Sequence, residues 1–102
     1  MNRIAKRTNM TFYLKNKLMI LVFDEHTRDD EEDFYNFMLY EEGNEKDFYM
    51  IQYVKPTNLF FANHYHNEID DNWDYIQKYF DENEIQIIKK HILEYINNNK
   101  CD

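Results

Sequence analysis

One cysteine, one glycine and one proline among 102 residues remove several kinds of protein before any motif is considered. Cys101 has no second thiol with which to close an internal disulfide, and it stands one residue from the end in a polar tail that offers a nucleophile neither orientation nor activation. With Gly43 as the single glycine there is no glycine-rich loop to cradle phosphates, which excludes Walker and Rossmann nucleotide sites. The longest unbroken apolar run is Leu18–Phe23, far below the roughly 20 residues a membrane helix needs. No basic segment is followed by a signal-type apolar stretch and cleavage site. These absences lead us to expect a cytoplasmic protein that does not engage membranes.

Basic side chains are also in short supply: 12 Lys and Arg face 20 Asp and Glu, for a net charge of −8. Nucleic-acid binding draws most of its affinity from phosphate neutralisation by Lys and Arg. Direct nucleic-acid binding is therefore not expected, and the electrostatic partners of such a chain are basic proteins. The charge is regional. Residues 1–20 carry five basic groups and no acid, whereas residues 21–50 carry eleven acids against Arg28 and Lys46.

What the chain has in abundance is aromatic surface, 18% Phe, Trp and Tyr, so one small domain with an aromatic core and short loops is expected. Residues 1–9 read as a flexible basic lead-in, 10–97 as a single α+β domain and 98–102 as a disordered tail. Strand character runs through "TFYLKNKLMILVF", either as a pair turning at Asn16-Lys17 or as one long strand. The stretch "HTRDDEEDFYNFMLY" admits two forms. As a helix it would have Thr27 as N-cap, five acids at the positive helix start and Gly43 as the stop. Yet Phe34, Tyr35, Phe37, Met38, Leu39 and Tyr40 point all round a helical wheel, and Gly43-Asn44 offers a hairpin turn into the strand-like "DFYMIQYV". The pattern favours the hairpin, with Glu41 opposite Lys46, Leu39 opposite Phe48 and Phe37 opposite Met50.

Pro56 and Asn58 suit a turn that returns "NLFFAN" as a further strand, so residues 34–62 are expected to form a three-stranded antiparallel unit. Two amphipathic helices should follow. The first is capped at Asn67 and Asp70 and carries Ile69, Trp73, Ile76 and Phe80; the second is capped at Asp81 and Glu84 and carries Ile85, Ile88, Ile92, Tyr95 and Ile96. The expected fold is an antiparallel meander of three to five strands with both helices on one face.

Chemistry-bearing candidates are few. In an extended segment the imidazoles of His64 and His66 point the same way, so they could converge on Zn²⁺ with Asp70, Glu68, Asp71 or the distant His91 completing the shell. No second metal-ligand motif accompanies them, and the competing reading is a solvated strand-to-helix junction. Aromatics including Phe12, Tyr13, Phe48, Tyr49, Tyr53, Phe60 and Phe61 could stack bases on an open sheet, but no Lys or Arg is interleaved with them. Core packing, with some tyrosines serving as protein-interface anchors, accounts for them better.

The remaining feature is acidic: Asp29, Asp30, Glu31, Glu32 and Asp33 in unbroken succession, with Glu41 and Glu42 further on. A solubilising surface is the plain explanation, and imitation of phosphates toward a basic protein is the functional one. Within this run "EEDFYNFM", Glu31–Met38, resembles the acidic segment of small phage-encoded anti-CRISPR proteins that occupy the DNA-recognition groove of an RNA-guided nuclease. The resemblance implies a helical acidic segment, whereas the residue pattern here favours a strand. It also implies an inhibitor without enzymatic activity or cofactor, acting in the host cytoplasm on a basic nucleic-acid-processing protein through Asp29 to Asp33, and the acidity of the same region adds Glu41 and Glu42 to the expected partner-binding surface. Two alternatives stand beside it: an immunity protein or antitoxin that caps a toxin's basic site, and a small metal-binding protein or metal-dependent hydrolase using His64 and His66.

Overall fold

A computed structural model of the chain describes residues 9–65 and 73–98. A six-stranded antiparallel sheet holds its strands side by side in chain order: β1 (Asn9–Leu14), β2 (Lys17–Asp29), β3 (Glu32–Glu41), β4 (Phe48–Lys55), β5 (Leu59–Tyr65) and β6 (Asp74–Tyr75). A 3-10 turn over Ile76–Lys78 leads to one helix, α1 (Glu82–Asn98). The meander and the α+β class are as expected. The sheet has more strands than the three to five anticipated, and a single α-helix stands among the described residues where two were expected.

The turns explain the strand boundaries. Lys15 and Asn16 both take positive φ, 49° and 72°, the conformation of a two-residue hairpin whose twist matches its strands. The turn thus lies one position before the expected Asn16-Lys17, so that Asn rather than Lys occupies the second left-handed position, which Asn tolerates better. β2 continues through Asp29 and turns at Asp30-Glu31, with Asp30 at φ 50° and Asp29 opposite Glu32. Residues 32–41 are therefore strand, as the apolar pattern favoured over a helix. β3 and β4 are joined by two successive turns, Asn44 N–H donating to the Glu41 carbonyl and Asp47 N–H to that of Asn44.

That longer connection corrects the expected register. Leu39 lies opposite Tyr49 and Phe37 opposite Ile51, one residue away from the anticipated Leu39–Phe48 and Phe37–Met50 pairs. A one-residue slip exchanges the two faces of a strand. The observed register keeps Phe37, Leu39, Ile51 and Tyr53 together in the core, whereas the expected one would have driven Met50 and Gln52 inward. Beyond Lys55-Pro56, a cis peptide, Asn58 at φ 63° returns the chain as β5, its amide donating to the Val54 carbonyl.

One face of this sheet is covered by α1. Phe12, Leu14, Met19, Leu21, Phe37, Leu39, Ile51, Tyr53, Phe60 and Ala62 form one cluster with Ile85, Ile88, Ile92 and Ile96 of the helix. Full burial of each isoleucine contributes about 1.5–3 kcal/mol, which fixes the helix on the sheet. The expected capping box closes its N-terminus: Glu84 N–H donates to Asp81 Oδ1 at 2.9 Å and Asp81 N–H to Glu84 Oε1 at 3.0 Å.

The first expected helix is replaced, in its described part, by β6 and the 3-10 turn; its capping pair Asn67 and Asp70 lies outside the described residues. Asp74 and Tyr75 pair with Ala62 and Phe61, giving the edge of β5 the ladder bonds that a helix would have withheld. The spacing that suggested a helix survives locally. Phe80 N–H donates to the Ile76 carbonyl, and both side chains reach the core.

Candidate functional site

Among the described residues β1 pairs with β2 as far as Val22; a bulge at Asp24 follows, and Glu25–Asp29 pair with β3. The β2–β3 hairpin thus forms an arm past the last described β1 pair. Along it β2 carries the exposed charges Asp24, Glu25, Arg28 and Asp29.

At the end of this arm stand the five consecutive acids. Four of them, Asp29, Asp30, Glu31 and Glu32, surround a shallow surface depression with no apolar lining residue. Asp33 is different. It lies opposite Arg28, whose Nε donates to its Oδ1 at 2.8 Å, and His26 Nε2 stands 3.3 Å from the same oxygen. The His26 ring stacks on Tyr35 at 4.1 Å with 6° between planes, which holds the imidazole beside the carboxylate. The Arg28 hydrogen bond, aided by that of His26, holds the Asp33 carboxyl below its ordinary range, while burial pushes the Tyr35 phenol up. Among the described residues no cation pairs with Asp29, Asp30, Glu31 or Glu32 at the tip, and the fifth acid is consumed in bracing the arm. The cross-strand partner of Asp33 depends on the turn position, so the sequence did not reveal it.

Glu41 and Glu42 are not part of this tip. They lie at the other end of β3, which from Asp33 to Glu41 extends about 27 Å at about 3.4 Å per residue. There they neighbour the β3–β4 connection and the Lys15-Asn16 turn, with the Glu42 amide donating to the Leu18 carbonyl. Lys15 is ion-paired to Asp81 and Glu84 at the start of α1. The Lys15 hydrogen bond, with backbone bonds at the helix start, lowers the Asp81 carboxyl.

Of the candidate metal ligands only His64 and His91 are described; His66, Glu68, Asp70 and Asp71 lie outside the described residues. His64 stacks on Tyr49 at 4.3 Å, and its Nε2 lies 2.6 Å from Asp47 Oδ1. His91 stacks on Phe12, its Nδ1 2.9 Å from the Ile87 carbonyl oxygen. Among the described residues no three His, Cys, Asp or Glu side chains converge to hold a metal ion.

The aromatic residues divide between the faces. Phe12, Tyr53 and Phe60 are in the core with Tyr49 beside it, while Tyr13, Phe48 and Phe61 belong to the opposite face. That second face is built of cross-strand rows. Ile20, Tyr40, Phe48 and Tyr65 form one, and Val22, Met38, Met50 and Asn63 the next. Asn36, Gln52, Phe61 and Tyr75 form a third, with Gln52 Nε2 donating to Asn36 Oδ1 at 3.1 Å. No helix among the described residues is long and apolar enough to cross a membrane. Compared with known proteins, the chain matches no family model, no curated protein and no solved structure.

Proposed function

We propose that this chain is a non-enzymatic inhibitor that binds a basic nucleic-acid-processing protein, of the kind an RNA-guided nuclease represents, by presenting the β2–β3 tip as a substitute for phosphates. The observation that carries this reading is charge density. Asp29 and Glu32 form one rung of the hairpin and Asp30 and Glu31 the turn beyond it. Two rungs at about 3.4 Å each hold four carboxylates, about one charge per 1.7 Å, which is the axial density of duplex DNA. The Arg28–Asp33–His26 brace limits the entropy lost when the arm is held in a groove.

The test is to replace Asp29, Asp30, Glu31 and Glu32 by Asn, Asn, Gln and Gln. Capture of a basic partner from host lysate at low salt should fall sharply while circular dichroism stays that of the parent. The loss should come mainly in the association rate and shrink at high salt, because about 1 M salt shortens the Debye length to about 3 Å. Equal capture by the neutralised variant at low salt would reduce the tip to a solubilising surface.

A further inference from the structure

At the end of the sheet away from the acidic tip, the β1–β2 turn, β4 and the segment leading into α1 enclose a cavity of about 340 Å³, within the range of small-molecule sites, about 300–1,000 Å³. Its floor is apolar: Leu14, Met19 and Phe80 line it and are all buried. The half-buried rings of Tyr49 and Tyr79 form its walls, the Tyr49 centroid lying 4.8 Å from that of Phe80 and 5.6 Å from that of Tyr79. Glu84 lines it as well, with a side chain only 16% exposed. One carboxylate oxygen, Oε1, accepts from the Asp81 amide. The other, Oε2, stands 3.6 Å from Lys15 Nζ, too far for a hydrogen bond, because Lys15 is drawn to Asp81 at 2.5 Å. A largely buried carboxylate oxygen in an aromatic-walled cavity thus has hydrogen-bonding capacity unspent among the described residues.

We propose that this cavity binds a small organic ammonium ion, an amine carried on a single ring or a short apolar body. Its ammonium donates to Glu84 Oε2 while its apolar part covers Leu14, Met19 and Phe80. Aromatic faces attract cations within about 6 Å of the ring centre, and Tyr79 already draws one, since Lys78 Nζ lies 5.5 Å from its centroid. Charge favours a cation over an anion. Burial, reinforced by the negative charges of Asp47 and Glu84, pushes the Tyr49 phenol up, which keeps that wall neutral in negative surroundings. The two cations of the lining, Lys15 and Lys17, are both exposed, and Lys15 is neutralised by Asp81. A neutral ring of the same shape would desolvate Glu84 without donating to it, and a carboxylate would meet it as a like charge. The site lies at the opposite end of β3 from the tip and does not depend on the reading given for the tip.

Benzylammonium titrated into isotope-labelled protein and followed by amide NMR tests this, with benzyl alcohol and benzoate as neutral and anionic probes of the same ring. Saturable shifts at millimolar concentration are expected at the amides of Lys15, Tyr49, Tyr79, Phe80 and Glu84. Benzyl alcohol and benzoate should bind about tenfold more weakly or worse, the factor that one charge-assisted hydrogen bond supplies. Glu84→Gln should weaken benzylammonium by a similar factor while preserving the helix start, because glutamine keeps an acceptor for the Asp81 amide. The absence of saturable shifts at these residues, or shifts at Asp29–Glu32 alone, overturns the proposal. So does benzyl alcohol or benzoate binding as tightly as the amine, or Glu84→Gln binding the amine as tightly as the parent. Should that variant lose its folded circular dichroism spectrum, the comparison of the three probes on the parent chain decides alone.

Discussion

Which side chains of β4 face the core depends on its register against β3, which Ile51→Ala and Met50→Ala test in opposite directions. Ile51 is 0% exposed and lies opposite Phe37 under α1, whereas Met50 is half-buried on the other face opposite Met38. Truncating Ile51 removes three carbons, worth about 2.4 kcal/mol at about 0.8 kcal/mol per buried methylene. The cavity left in the core cluster adds to this, because a strand hydrogen-bonded on both sides collapses little, and the total should reach about 3–4 kcal/mol. At about 4–8 °C per kcal/mol for a domain of this size, Tm should fall by roughly 12–30 °C. Met50→Ala removes a side chain that is already partly hydrated and should cost about 1 kcal/mol in dilute protein. Urea unfolding followed by circular dichroism measures both. If Met50→Ala proves the more destabilising of the two, the strand has the register in which Leu39 faces Phe48, and the face assignments above are wrong.

Other perturbations follow from single contacts. Asp81→Ala should lower Tm by removing the acceptor for Glu84 N–H and the partner of Lys15, whereas Asp81→Asn, which retains a capping oxygen, should lose less; thermal melts distinguish them. Asp33 and Asp81 are both held below their ordinary 3.8 in the folded chain. The stability they contribute is therefore present above that value and lost as pH falls below it toward their folded values. Melts between pH 5 and about 3 should show the decline, and Asp33→Asn should flatten it. Gly43→Ala should cost about 1 kcal/mol in urea unfolding, since φ is +89° there and no atom lies within 4 Å of an added Cβ, so the penalty is of the backbone alone.

Much of this fold was legible from local chemistry. The isoleucine stripe Ile85–Ile96 and the Asp81–Glu84 box specify α1 because a helix repeats every 3.6 residues and its first amides need acceptors. The wrap of Phe34–Tyr40 around any helical wheel weighed against a helix that good capping residues would otherwise have started, and favoured the strand that formed. Partnership was not legible. Whether Tyr49 or Phe48 faces Leu39 turns on how many residues the β3–β4 connection spends, a choice settled by the pooled burial of both strands against α1 and not by either strand's own pattern. Asp74 and Tyr75 carried a helical spacing yet pair with β5, because an open sheet edge supplies hydrogen bonds at once while a new helix must first pay for nucleation. The acidic run shows the same division. Its five charges are a fact of sequence, but only the pairing of Arg28 with Asp33 across the hairpin sets that acid apart from the other four. The sequence by itself determined the elements and the charge they carry; tertiary packing decided register, faces and neighbours, because those are properties of pairs of segments far apart in the chain.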